Sequence, residues 1–231
     1  MEEGELRQKV AEEIDLFEKA RPEPTADIDL VWVFSGPGTA FEPWSKSDPE
    51  WMAWMDLSRI QRGLRLIFEV TGCRLQIPAT SVDEVVLNQA GPRMLYNGVD
   101  SKGENRAFEH YIKHTPLSYD RTIVINNVNE GGVEREIKNT RDQIVSLKGS
   151  SIWSEVTGAV ALVSTAAHLP RILRYIDMYR SIPEGLRIRC FPVPNFDSYK
   201  QDREHETEAV VRYWKQGHLS ANPYPANLGL A

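Results

Sequence analysis

IDLVWVF (28–34) is a short apolar, β-branched run that stops at Ser35-Gly36-Pro37-Gly38. A strand with one wet face alternates apolar and polar residues, whereas a strand covered by helices on both faces is apolar almost throughout. This run is of the second kind. Four more runs of strand character follow it: RMLYN (93–97), RTIVIN (121–126), AVALVS (159–164) and RIRCFPV (187–193). Helical stretches separate or flank them at 104–114, 139–148, 168–180 and about 202–217. Strands and helices alternating at this spacing predict βαβ units. The expected fold is a three-layer, Rossmann-like, doubly wound α/β domain with a mainly parallel sheet of at least five strands.

Outward from the first strand, Leu6, Val10, Ile14 and Phe17 recur at the spacing of an amphipathic helix over about 3–20, which Pro22 and Pro24 end. Downstream, Ser47-Asp48-Pro49-Glu50 has the pattern of a capping box with an early proline. It opens a long helix predicted to reach Thr71 and to be closed by Gly72. The chain therefore divides into an N-terminal helix and linker (1–27) packed on the domain, the Rossmann-like domain itself (28–219), and an extended tail, SANPYPANLGLA (220–231).

Of the 231 residues, 41% are hydrophobic and 26% charged, the balance of a globular protein with a substantial core. No run approaches the length of a membrane span, and the acidic, amphipathic first 20 residues are unlike a secretory signal. These features predict a cytoplasmic protein. A net charge of −6 argues against bulk binding to nucleic acid or to an anionic membrane. The two cysteines, Cys73 and Cys190, have neither metal-ligand spacing nor a disulfide framework, and read as reduced, partly buried thiols.

In an open parallel sheet, ligands bind beyond the carboxyl ends of the strands, so the residues after each strand carry the functional reading. Ser35, Gly36 and Gly38 follow the first. Asn97 and Gly98 follow the second, with Glu104 opening the next helix. Asn126 and Asn127, a Gly131-Gly132 turn, Glu134, and Asn139-Thr140 with Asp142 follow the third. Thr165, His168 and Arg171 follow the fourth. The glycine loop is neither a dinucleotide fingerprint, since Phe41 occupies the third glycine position, nor a Walker loop, since no Gly-Lys-Ser/Thr follows. It can still bring backbone N–H groups close to an anion. On a helix, His168 and Arg171 share a face, suiting proton transfer and a fork onto phosphate or carboxylate. Trp44, Trp51 and Trp54 either wall the crevice or pack in the core. The carboxylates of KQDREHETE (200–208) read as a solvated face, and so does the i, i+4 pair His110 and His114, which has no third metal ligand.

The run VSTAAHLPRIL (163–173) resembles the VTSxxHMxRA segment of the YdcF/SanA/ElyC family of bacterial domains of unknown function. Glu134, then Asn139-Thr140 and Asp142-Gln143, resembles that family's E-x-x-S-x-N-T-x-E-N, with Ile137 in place of the serine and Asp-Gln in place of Glu-Asn. RIQRGLRLIF (59–68) is similar to its R-x-x-x-G-L-x-L-Y helix and puts Arg59 at the motif arginine. Gly103-Glu104-Asn105-Arg106-Ala107 resembles the start of the helix that follows. The likeness spans about 28–195 and is nearer the soluble YdcF type than the anchored members. It implies a Rossmann-like fold with a polar site at the strand ends.

Three functions fit these residues. The first is an enzyme, a hydrolase or transferase on a phosphate-bearing or nucleotide-like small molecule, with His168 or Glu134 moving a proton. The second is a non-catalytic module for a nucleotide-like, perhaps adenosyl-containing, metabolite. The third is a structural protein with a vestigial site. No cofactor is specified by any motif, and no metal cluster is expected. A chelator is accordingly expected to leave the thermal unfolding midpoint unchanged; a large drop would identify His110 and His114 as ligands.

Overall fold

The structure, a computed structural model, describes residues 1–35, 57–99, 101, 103–193 and 200–226. The glycines Gly36 and Gly38, the predicted capping box at 47–50, and Trp44, Trp51 and Trp54 lie outside the described residues, as does the tail beyond 226.

Seven strands are described. They are β1 (Ile28–Val33), β2 (Arg93–Tyr96), β3 (Thr122–Val124), β4 (Asn127–Glu130), β5 (Val133–Glu136), β6 (Ala159–Thr165) and β7 (Arg187–Val193). Five of them form one sheet in the order β3-β2-β1-β6-β7, with every pairing parallel. Helices α1 (Glu3–Lys19), α2 (Leu57–Leu75), α3 (Glu84–Ala90), α4 (Glu104–Ile112), α5 (Thr140–Val145), α6 (Leu169–Tyr179) and α7 (Lys200–Lys215) complete a Rossmann-like α/β arrangement. Among the described residues, no helix is long and apolar enough to cross a membrane.

The central strand explains the layering. Leu30, Trp32 and Phe34 face one side and pack with Leu6, Val10 and Ile14 of α1 and Ile172 and Ile176 of α6. Val31 and Val33 face the other side and pack with Ile60, Leu66 and Ile67 of α2 and Phe108 of α4. Ile28 joins the second side although it is two residues from Leu30, because the register with β6 shifts between them. Asp29 is the extra residue of that bulge. Its carboxylate accepts from Arg74 Nη2 at 2.8 Å and from the backbone N–H groups of Thr157 and Gly158 at 3.0 and 2.8 Å. A polar residue thus interrupts an apolar strand only where the pairing itself is interrupted.

Two expectations are corrected. Helix α2 does not close at Gly72 but runs on to Leu75, and Gln76, at φ 57°, takes the left-handed position. Ile77 N–H then reaches back to Gly72 O at 3.0 Å, a Schellman closure in which Gly72 stands three residues before the last helical residue. Glycine is needed at 72 because a Cβ there would lie 2.7 Å from Ile77 O. Secondly, the carboxylates of α7 are not all solvated, since Glu206 is fully buried. Two further elements went unanticipated, α3 and the β4–β5 hairpin. Gly131 and Gly132 make the hairpin turn at φ 64° and 82°, the two left-handed central residues that a tight type I′ connection requires.

Helix α6 holds the outer layer through two buried arginines. Arg171 forks onto Glu206 of α7 at 2.7 and 2.9 Å, and Arg174 onto Glu13 of α1 at 2.5 and 2.9 Å. Of the cysteines, Cys190 is buried and Cys73 exposed, and both are free. Residues 220–226 carry no regular structure, but Tyr224 N–H donates to Leu173 O at 3.1 Å, so this end lies on α6.

Helix α2 approaches the sheet closely at Gly63, where a Cβ would meet Val33 Cγ2 at 2.5 Å and Met94 Cε at 3.0 Å. Gly63→Val is expected to lower stability by about 1–3 kcal/mol through overpacking, read as a shift of the denaturant midpoint. An unchanged midpoint would show that α2 can step away from β1 without cost.

Candidate functional site

The strand order reverses between β1 and β6: one half of the sheet builds outward from β1 through β2 to β3, the other from β6 to β7. Such a switch point leaves a gap between the loops of the two halves, where ligands of open α/β sheets bind. The residues that reach it come from the ends of β1, β2 and β6 and from the helices α2 and α5.

Strand β6 ends in Ser164 and Thr165, and the chain turns through Ala166 and Ala167 to His168, which caps α6. His168 is fully buried. Its Nδ1 lies 3.2 Å from Ser164 Oγ and its Nε2 3.1 Å from Thr140 Oγ1, so the imidazole bridges the end of β6 and the start of α5. Burial, then the charges of Arg171 and Arg59, hold its pKa well below the ordinary value of 6.5. The ring is therefore neutral at neutral pH, with one nitrogen donating and the other accepting.

A second branch starts on the central strand. Trp32 Nε1 donates to Asn97 Oδ1 at 3.0 Å, and Asn97 Nδ2 donates to Gln143 O at 2.8 Å. The Gln143 side chain returns the contact, its Nε2 donating to Asn97 O at 2.9 Å and to Ser35 Oγ. Among the described residues, Gln143 Oε1 accepts no hydrogen bond, although Gln143 is only 1% exposed. Thr140 and Gln143 are three apart on α5, so both branches meet on one helical face. Arg59 of α2 closes the ring from the other layer, its Nη1 donating to Phe34 O at 3.4 Å and its Nη2 to Thr165 Oγ1 at 3.5 Å.

The structure thus brings together Ser35, Arg59, Asn97, Thr140, Thr165 and His168 of the residues singled out from sequence. Gln143 and Ser164 belong with them, although the sequence reading gave neither a role in the site. Their signals were position, one turn into α5 and one residue before the end of β6, and for Gln143 its place in the motif-like run after Asn139-Thr140.

The other residues expected at the site from the sequence lie elsewhere or are otherwise engaged. Glu134 is exposed on β5 and accepts from Asn127 Nδ2 at 2.9 Å, well away along the hairpin. Asn139 caps its own helix, its Oδ1 accepting from Asp142 N–H at 3.0 Å. Asp142 is buried beneath the hairpin and binds the Arg135 guanidinium with both oxygens at 2.7 Å. Glu104 accepts from Val99 N–H at 2.6 Å, closing the β2–α4 loop. Gly98 must be glycine there, since a Cβ would lie 2.7 Å from Glu104 Cβ and from Tyr96 Cε1. Arg171 is not a solvent-facing anion fork: a guanidinium this buried requires a compensating charge, and Glu206 provides it. The rings of His110 and His114 lie 5.1 Å apart, and among the described residues no group of three or more His, Cys, Asp or Glu side chains could hold a metal ion.

Comparison of the chain with protein-family models, curated proteins and solved structures finds no match.

The depressed His168 pKa has a stability consequence. The unfolded chain takes up a proton near 6.5 and the folded chain does not, so acid favours unfolding. This group leaves stability flat above that pH and lowers it by about 1.4 kcal/mol per pH unit below it. Denaturant unfolding between about pH 5 and 8 is expected to show this slope in the wild type and to lack it in His168→Gln. Parallel profiles for the two proteins would mean that folded His168 takes a proton as readily as the unfolded chain.

Proposed function

We propose that this chain binds a small phosphate-bearing or nucleotide-like molecule at the carboxyl ends of β1 and β6. One observation carries the reading: neutral hydrogen-bonding side chains from the ends of three strands and from α5 converge, already linked, on the switch point, beside the guanidinium of Arg59. An arginine suits a phosphate oxygen, and the amide and hydroxyl groups of Gln143, Ser35 and Thr140 suit the neutral part of such a ligand.

The same place could support hydrolysis or group transfer, with His168 carrying the proton, because its ring is unprotonated and within hydrogen-bond reach of the Thr140 hydroxyl. A non-catalytic module for an adenosyl-type metabolite would use the same contacts without turnover.

Mass spectrometry of the unfolded protein is expected to release a co-purified small molecule of this class, and calorimetry with that class of ligand to give saturable binding. Arg59→Gln is expected to weaken binding by roughly tenfold or more, the value of a hydrogen bond to a charged group. Unchanged affinity in Arg59→Gln would move the ligand away from the switch point. Turnover that disappears in His168→Gln while binding persists would favour the enzyme; an intact ligand with no turnover in the wild type would favour the binding module.

A further inference from the structure

The opposite end of the sheet holds an arrangement that the switch point does not explain. Met94 of β2 pairs with Thr122 of β3, so the residues just before them, Arg93 and Arg121, are neighbours across two parallel strands. Adjacent strands lie about 4.8 Å apart, and like charges placed opposite one another repel. A third guanidinium converges on the same turn: Arg74 Nη1 donates to Ala90 O at 2.8 Å, and Arg121 Nη2 donates to Gly91 O, the very next carbonyl.

The compensating charges fall short. Arg74 pairs with Asp29 at 2.8 Å, and Arg93 with Glu155, whose side chain is 61% exposed. Among the described residues, no carboxylate lies within ion-pair distance of Arg121. The Nε atoms of Arg93 and Arg121 are both buried without a hydrogen-bond partner. Burial, then the charges of Arg93 and Arg74, push the Arg121 pKa down from its ordinary value, and the pull of Glu155 in the other direction does not offset them. The Arg93 side chain remains 30% exposed, so the group is open to solvent on one side.

We propose that Arg93 and Arg121, supported by Arg74, form a second ligand site, for a phosphoryl dianion, at the amino end of β2 and β3. Such an anion supplies acceptors to two adjacent guanidiniums at once and removes the repulsion between them. It also ties the edge strand β3 to β2 where their pairing begins. Free phosphate and a phosphate ester carry the same recognised group.

The test compares thermal midpoints in phosphate and in chloride at matched ionic strength, because salt alone also screens the repulsion. Phosphate is expected to raise the midpoint of the wild type in a saturable way. The rise is expected to vanish in Arg121→Gln and in Arg93→Gln and to persist in Arg59→Gln. Adenosine monophosphate at the same concentration, added to Arg59→Gln so that the switch point does not contribute, distinguishes the source: a rise equal to that with phosphate indicates that the phosphoryl group alone is recognised, and a larger one that an ester is preferred. A wild type that responds to neither anion beyond the chloride control overturns the proposal. A rise that survives in Arg121→Gln overturns it too, and one lost instead in Arg59→Gln assigns the anion to the switch point. A measurement that needs no variant to fold is the titration of the arginine Nε–Hε resonances of the wild-type protein. Those of Arg93 and Arg121 are expected to shift together and saturate with phosphate; if both stay in place, the site does not exist.

Discussion

Trp32 sits on the central strand with helices over both faces, so its indole N–H can be satisfied only by another buried polar group. Asn97, at the end of the neighbouring strand, supplies the acceptor at 3.0 Å. That bond fixes the asparagine amide, because its oxygen is now used and its nitrogen must donate elsewhere. It donates to Gln143 O and Ser146 Oγ, at 2.8 and 3.3 Å, and so docks α5 across the end of the sheet. Once α5 is placed, Thr140 meets His168 and Gln143 meets Ser35. A sheet buried on both faces has no room for polar groups along its strands. The ones it carries collect at the ends, where leaving any one unpaired costs about 1–3 kcal/mol.

The outer layer obeys a harsher version of the same rule. Arg171 and Arg174, one turn apart in sequence spacing, bury two positive charges on α6, and each takes a bidentate carboxylate from a different helix. Removing one partner of such a pair is worth about 3–5 kcal/mol of destabilisation, mostly the charge left behind. These pairs therefore specify which helices lie beside α6 more than they add to net stability. They also decide the electrostatics of the strand ends. With Arg171 held by Glu206, the guanidinium that reaches the strand ends by hydrogen bonds is Arg59, through Phe34 O and Thr165 Oγ1.

The sheet was legible in the sequence because its strands are apolar runs and its connections carry helical periodicity. The five strands of IDLVWVF, RMLYN, RTIVIN, AVALVS and RIRCFPV all pair in one sheet. The β4–β5 hairpin was not legible, since NVNE and VERE are polar on nearly every residue and only Val128 turns inward. Its Gly-Gly turn was the sole local signal. Glu206 was hidden in EHETE, a string that reads as a wet face until α7 is laid against α6. The pairing of Arg171 was hidden for the same reason: its counter-charge is 35 residues away in the chain. Strand-end position brought Ser35, Asn97, Thr165 and His168 together, because topology alone places them. It could not distinguish residues whose side chains join the network from those, such as Glu104 and Asn139, that spend themselves closing their own loops.

The two ends of the sheet are chemically opposed, and the opposition follows from what each end has available. At the carboxyl end, a protonated His168 would add a third positive charge beside Arg59 and Arg171 in a buried place. The ring stays neutral instead, and the end is stitched by amides and hydroxyls. At the amino end, Asp29, Arg74, Arg93, Arg121 and Glu155 meet as charges, with an excess of guanidinium. A neutral network can reorient its hydroxyl protons to suit a bound molecule at little cost, whereas fixed guanidiniums accept only an anion. Under the proposed function this gives the switch-point ligand a direction. Its phosphate belongs toward Arg59 and Thr165, and its uncharged donors toward Gln143, whose Oε1 has no partner among the described residues. A ligand without a hydrogen-bond donor would bury that acceptor unmet, and the amide would then act as a filter against it rather than a contact for it.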